Sequence, residues 1–440
     1  MCAVIHVLDF GRIMLNLASG HFVRFLNYAN LLSALFIVLI SIFHYEKIHN
    51  VTLYVFAATF ILGYCVEKKW KSFVWTKSSW FFLMFILYYL LTIVWMPFEE
   101  RQDYSMKLME YRLVLLGIGL VGILGLNPLH KLRYYVWVFA FTSLGASLYV
   151  LGKTICLHGI GPEFLIQMVP VRLEINYHMA FNYYLNLSNV LVIYMLLKKE
   201  NNKSSTVFYV LSLLVNYVVL LCSEGRIGFI TALVILMMPL VVLGMKYKKL
   251  ALFFSIVITI SFIFLFFQKG GRANNISYSD SPRGFIWHNA IDLIKKQPMG
   301  YGSGDAVEIF ASKVVQDSTF VEKCMGDPIF VVIEKNRIVR IHSHNVFLQS
   351  MLEFGFVGLV VSLMFYILPF VISRSFLFKE RLVIIFATLV NFLQNMTDYL
   401  TSVPIIIYLL LMVVLFSHAE KERRLSENPS KKEIEKRFAF

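Results

Sequence analysis

Apolar runs long enough to cross a bilayer recur along most of this chain, and that recurrence limits the folds open to it. About 20 apolar residues in a helix span the hydrocarbon core. A backbone in lipid must satisfy its own polar groups, which leaves helices or closed barrels. Twelve candidate helical spans lie near 25–43, 51–66, 80–97, 109–126, 133–151, 179–197, 206–222, 227–245, 249–268, 355–373, 381–397 and 401–417. Composition agrees: 58% of the 440 residues are hydrophobic and 15% charged, against about 45–50% and about 25% in a soluble globule. The expectation is an all-α polytopic membrane protein of about 12 transmembrane helices. A large soluble helical protein is excluded by the same pattern. The first apolar run is followed by more of the same, so it reads as an uncleaved span, with no signal-peptide pattern before it.

The net charge of +14 is informative only through its distribution, because Lys and Arg collect on the cytoplasmic side of spans. With the N-terminus inside, the inner loops hold Lys68, Lys69, Lys71 and Lys77, then Lys131 and Arg133, then Lys198, Lys199 and Lys203, then Lys246, Lys248 and Lys249, then Arg374, Lys379 and Arg381. The tail after His418 adds Lys421, Arg423, Arg424, Lys431, Lys432, Lys436 and Arg437. The short outer loops hold few cations, such as Lys47, Arg101, Lys153, Arg172 and Arg226. The basic tail reads as a solvated face near anionic membrane lipids, not a nucleic-acid site. The domain reading is therefore 1–268 as helices one to nine, 269–354 as one large, partly helical periplasmic loop, 355–417 as helices ten to twelve and 418–440 as a basic cytoplasmic tail.

The loop carries local signals. Asp280-Ser281-Pro282 caps a helix with Pro in its first turn. Phe285, Ile286, Ile291, Leu293 and Ile294 then recur near helical spacing up to Pro298 and Gly300. Residues 345–354 read as a short helix leading into the tenth span. Gly300-Tyr301-Gly302-Ser303-Gly304 allows close backbone approach to a ligand but lacks the context of a nucleotide-binding loop. Five cysteines (Cys2, Cys65, Cys156, Cys222 and Cys324) show no metal-ligand spacing; Cys156 and Cys324 both fall outside the cytoplasm, where a disulfide between them is one option.

Several residues are equipped for chemistry at the outer boundary. Arg226, in the short turn between spans seven and eight, is either a snorkelling or Glu224-paired cation or a clamp for phosphate oxygens. Arg283 opens the loop helix, where free N–H groups also attract anions; a solvated surface role is the alternative. His342 and His344 share a side if the segment is extended, but no third or fourth ligand follows at a zinc spacing, so no metal is expected. An imidazole titrates near neutrality and can take a proton from a hydroxyl, which makes His344 a candidate base. Asp398, between the last two spans, is either an orienting carboxylate or a surface one. Arg172 and His178 flank the sixth span as weaker candidates.

His344-Asn345, nine residues, then Gly355-x-x-Gly358 resembles the pattern of the bacterial O-antigen ligases and related polymerases. Arg226 after span seven, Arg283 with the following helix and Pro298-Met299-Gly300, and Met396-Thr397-Asp398 before the last span are similar too. The chain departs from the family where some ligases carry a further loop arginine: Gly302 to Phe310 contains none, leaving Arg283, Arg272 or Lys313 for that role, or no residue at all. The resemblance implies a fold like the membrane-embedded C-type glycosyltransferases. It implies inverting, metal-independent transfer of glycan from undecaprenyl diphosphate to a lipid A-core acceptor at the periplasmic face of the bacterial inner membrane, with no cofactor. On that reading His344, Arg226 and Arg283 are catalytic. Arg226, Arg283, Arg172, His342, Asn345 and Asp398 bind substrate. The alternatives are a polymerase using the same donor, an oligosaccharyltransferase with a protein acceptor, and a transporter or flippase. A transporter would place its ionisable groups near the midplane, whereas these cluster at one face.

Overall fold

In the computed structural model the described residues are 2–43, 46–95, 113, 115–160, 168, 171, 174–176, 178–198, 201–221, 226–246, 249, 256, 282–303, 305–316, 343–396 and 403–427. Their regular structure is helical throughout: α1 (Cys2–Ile40), α2 (Glu46–Val66), α3 (Lys77–Val94), α4 (Leu115–Leu124), α5 (Leu132–His158), α6 (His178–Lys198), α7 (Lys203–Leu221), α8 (Arg226–Lys246), α9 (Pro282–Lys296), α10 (Asp305–Gln316), α11 (Val346–Ser373), α12 (Phe378–Asn395) and α13 (Val403–Glu427).

Eight of these are long and apolar enough to cross a membrane. They correspond to the first, second, third, fifth, sixth, seventh, tenth and twelfth candidate spans. Two others, Leu115–Leu124 and Ile227–Val242, are apolar but shorter. The eleventh candidate forms α12, whose opening residues include Lys379, Glu380 and Arg381 and lower its apolarity. The ninth, 249–268, lies outside the described residues except at 249 and 256. The helical, multi-pass class therefore stands, and among the described residues eight helices meet the physical requirement for a span. Cys156 is a free, exposed thiol; Cys324 lies outside the described residues.

The bundle is organised around α6. Tyr183, Tyr184, Leu185, Leu187, Val190, Leu191 and Tyr194 are all fully buried there, and the helix packs against α5, α7, α8, α12 and α13. Apolar burial gives helices little reason to prefer one another over lipid, so polar contacts between them matter more. Asn216 of α7 donates to Asn189 Oδ1 of α6 (3.1 Å) and to Ser143 Oγ of α5 (3.0 Å). Ser147 donates back to Asn216 Oδ1, and Ser143 meets Ser188 at 2.8 Å. The opposite face of α7 shows Val207, Leu211, Leu214 and Val218 exposed. That spacing forms one helical stripe, too large an apolar surface for water and suited to acyl chains.

A smaller cluster sits on one end of the bundle. Ile286, Ala290, Leu293 and Ile294 of α9 and Ala306, Phe310 and Val314 of α10 pack with Leu352 of α11. α9 begins at Pro282 and ends at Lys296, before Pro298 and Gly300, where the sequence signals put it. α10 was not anticipated. Its signals are nonetheless legible: Asp305 and Glu308 in the first turn, Lys313 in the last, and Ala306, Phe310 and Val314 at four-residue intervals.

Candidate functional site

The site is built where α11 begins. Asn345 is its N-cap, extended at φ −155°, ψ 120°. Its Oδ1 accepts the backbone N–H groups of Phe347 (2.9 Å) and Leu348 (3.1 Å), donors that a helix start otherwise leaves unmatched. Its Nδ2 donates to Met396 O at 3.0 Å, tying the start of α11 to the end of α12. On the other side of His344, buried Ser343 is held three ways. Its N–H donates to Gln349 Oε1 (3.2 Å), its hydroxyl donates to Asn345 O (2.9 Å), and its carbonyl accepts the Trp287 indole N–H (2.9 Å). Gln349 in turn donates to Glu353 Oε1 at 2.9 Å.

His344 stands between these two anchored residues. It is half-buried, at φ +50°. A non-glycine residue in the left-handed region is uncommon and persists where its surroundings over-determine it. The extended geometry that would align His342 and His344 does not hold at His344, and His342 lies outside the described residues. What the backbone does instead is place His344 in a left-handed corner at the helix mouth, between two hydrogen-bonded residues.

The spaced glycines have a steric reason. α11 breaks at Gly355, at φ +61°, ψ −148°. Residues from Val346 up to the break form the short lead-in helix expected for 345–354, and the span follows. The break turns the carbonyls of Leu352 and Glu353 outward. They accept the N–H groups of Tyr301 (2.7 Å) and Gly302 (3.0 Å). The loop carrying these residues also reaches α3: Ser303 bonds Trp95 O and Thr92 O, and Trp95 Nε1 donates to Met299 O. A Cβ at Gly300 would stand 2.5 Å from Gly355 N, and one at Gly355 would stand 2.3 Å from Pro298 O. The close approach expected of the Gly300–Gly302 stretch is thus to the backbone of α11. Gly358 is constrained too, since a Cβ there would meet Ser350 O at 2.3 Å. Burial pushes the Tyr301 phenol up, so it remains a donor, to Leu293 O at 3.0 Å.

The two arginines are placed by their helices. Arg283 is the second residue of α9, one turn before Trp287, whose indole holds Ser343. Arg226 is the first residue of α8. Two residues on, Gly228 O accepts Asn186 Nδ2 of α6 at 3.0 Å. Neighbouring Tyr183 donates to Asn391 near the end of α12, one turn before Asn395 and Met396. The starts of α8, α9 and α11 therefore gather at one end of the bundle. Arg172 and Asp398 lie outside the described residues, as His342 does, while His178 opens α6. Sequence reasoning missed Gln349 and Glu353. Two buried polar residues one turn apart on an otherwise apolar helix are a signal that was there to be read.

These features define a class: an all-helical, multi-pass membrane protein with an ordered polar site at one end of its bundle. Residues 208–363, from within α7 to within α11, match the O-antigen ligase family, which supports the chain's membership of that family. The matched segment contains Arg226, Arg283, His344, Asn345, Gly355 and Gly358. Members of the family are glycosyltransferase-like ligases and polymerases. No curated protein matches the chain.

Proposed function

We propose that the chain is an O-antigen ligase that transfers glycan from undecaprenyl diphosphate to the lipid A-core oligosaccharide at the periplasmic face of the bacterial inner membrane. The observation that carries the reading is His344, held half-buried in a left-handed conformation at the mouth of α11, inside the segment that matches the family. An acceptor hydroxyl oxygen attacks the anomeric carbon from the side opposite the leaving group, inverting it. The bond to the diphosphate oxygen breaks, and its electron pair departs with the diphosphate. His344 takes the hydroxyl proton, worth about 10²–10⁴-fold in rate. Arg226 and Arg283 are assigned to the growing negative charge, where fixed cations lower the barrier by several kcal/mol. The loop has no Asp-x-Asp and no clustered carboxylates, which suits guanidinium groups instead of a bound cation in that role.

The test is in vitro transfer by purified protein with lipid-linked glycan and lipid A-core, in EDTA and without an energy source. His344→Ala is expected to abolish product while inserting normally; product at the wild-type rate removes His344 from the mechanism. A deletion strain separates ligase from polymerase. Loss of a ligase leaves full-length glycan on the lipid carrier, and loss of a polymerase leaves one repeat on the core.

A further inference from the structure

A cavity of about 470 Å³ opens between the first turn of α5, the α6–α7 turn and α13. It lies at the far end of the bundle from His344. Lys198 on its wall stands 3.6 Å from Glu380 at the start of α12, whereas Met396, at the other end of that helix, holds Asn345. The rise of an α-helix puts about 24 Å between those two points.

The wall is strongly cationic. Lys131 and Arg133 come from the start of α5, Lys198 from the end of α6 and Lys421 from α13, while Glu422 is the one acidic residue among the described residues lining it. Lys198 is engaged, 2.9 Å from Glu422 and next to Glu380. Lys131 and Arg133 add two further positive charges to this wall. No ion pair among the described residues engages Lys131 or Arg133, and both are exposed. The helix starts bordering the cavity differ as well. Asn202 caps α7 by accepting the Ser205 N–H at 2.8 Å. α5 has Lys131 as its N-cap and no side-chain cap, so its first-turn N–H groups have no side-chain acceptor. Uncapped amides, a guanidinium and ammonium groups around one concavity are the donor set of an oxyanion site.

We propose that this cavity binds a phosphate group. Arg133 supplies the planar fork that matches two phosphate oxygens, and Lys131 and Lys421 supply the remaining charge. The group has two sources, the head group of an anionic phospholipid at this membrane surface or phosphate in the adjoining water. The inference is independent of the transfer reaction at the other face.

The test uses the full-length protein in neutral detergent and follows its unfolding midpoint. One arm titrates inorganic phosphate against sodium chloride of equal ionic strength. The other titrates dioctanoyl phosphatidylglycerol against dioctanoyl phosphatidylcholine. A saturable rise above the control is expected in at least one arm, with apparent affinity weakened tenfold or more in Arg133→Gln and in Lys421→Gln. Both side chains are exposed, so the variants are expected to fold; Lys131→Gln replaces either one that does not. A response in both arms assigns the site to the phosphate group itself, in the lipid arm alone to a head group, and in the phosphate arm alone to a soluble ligand. No saturable response in either arm, or an equal response in the variants, overturns the proposal.

Discussion

Replacing Gly355 with alanine tests whether the glycine pair is a matter of backbone geometry. At φ +61°, ψ −148° the residue occupies a basin that costs a non-glycine about 1–3 kcal/mol. The added Cβ would also stand 2.3 Å from Pro298 O and 2.5 Å from Met299 C, both backbone atoms. Relief requires the loop to withdraw, which forfeits the Tyr301–Leu352 and Gly302–Glu353 hydrogen bonds, each worth about 1 kcal/mol. The expected loss is about 3–5 kcal/mol of unfolding free energy, measured by denaturant titration in mixed micelles, with a matching loss of glycan transfer. Gly145→Ala is the control. It lies within α5 and its Cβ meets nothing within 4 Å, so it should gain up to about 1 kcal/mol. A Gly355→Ala protein within about 1 kcal/mol of that control would refute the steric argument.

Asn345→Ala removes two capping bonds and the tie to Met396; a loss of about 1–2 kcal/mol is expected, with transfer falling more than stability because His344 loses its neighbour's anchor. Lys198→Met strips a cation from Glu380, whose side chain is 4% exposed, and should cost about 3–5 kcal/mol; the double variant with Glu380→Gln should recover much of it, as a double-mutant cycle will show. Burial pushes His130 down to about 4 from the usual histidine value of about 6.5. Above pH 6.5 both folded and unfolded states hold it neutral and stability is unaffected. Below that the unfolded state binds the extra proton, so about 3 kcal/mol should be lost between pH 6.5 and 4. His130→Gln should flatten that part of the stability–pH curve.

The hydrogen bonds around His130 explain that assignment. Asn30 Nδ2 donates to Phe56 O, so its Oδ1 is left to accept the His130 Nε2–H at 2.9 Å. The other ring nitrogen then accepts from the Tyr135 hydroxyl. A neutral ring satisfies both neighbours, whereas protonation would turn Nδ1 into a donor and require the Tyr135 hydroxyl to switch from donating to accepting.

How much of this was readable beforehand follows the kind of force involved. Eight of the spans were legible because bilayer thickness fixes their length, and α9 was legible because Pro282 and Pro298 bound it. α12 was harder: Lys379, Glu380 and Arg381 look like a solvated turn, yet Glu380 is buried against Tyr194 and Lys198, a partnership written across distant parts of the chain. The site divides in the same way. The Asn345 cap and the Gly355 break are local, and the pattern of a histidine, an asparagine and spaced glycines advertised them. The Trp287–Ser343 and Met396–Asn345 bonds are tertiary. No window of sequence contains both partners, so the left-handed corner at His344 stayed hidden.

The amide and hydroxyl seam joining α5, α6 and α7 also bears on how the protein is made. Asn216 enters the bilayer on a helix whose other face is greasy, and by itself it has only lipid to meet. Its matches sit on two segments synthesised earlier. α7 therefore gains most by docking sideways onto its predecessors as it leaves the insertion machinery, and the three helices should mature as one assembly step ahead of the segments that follow them.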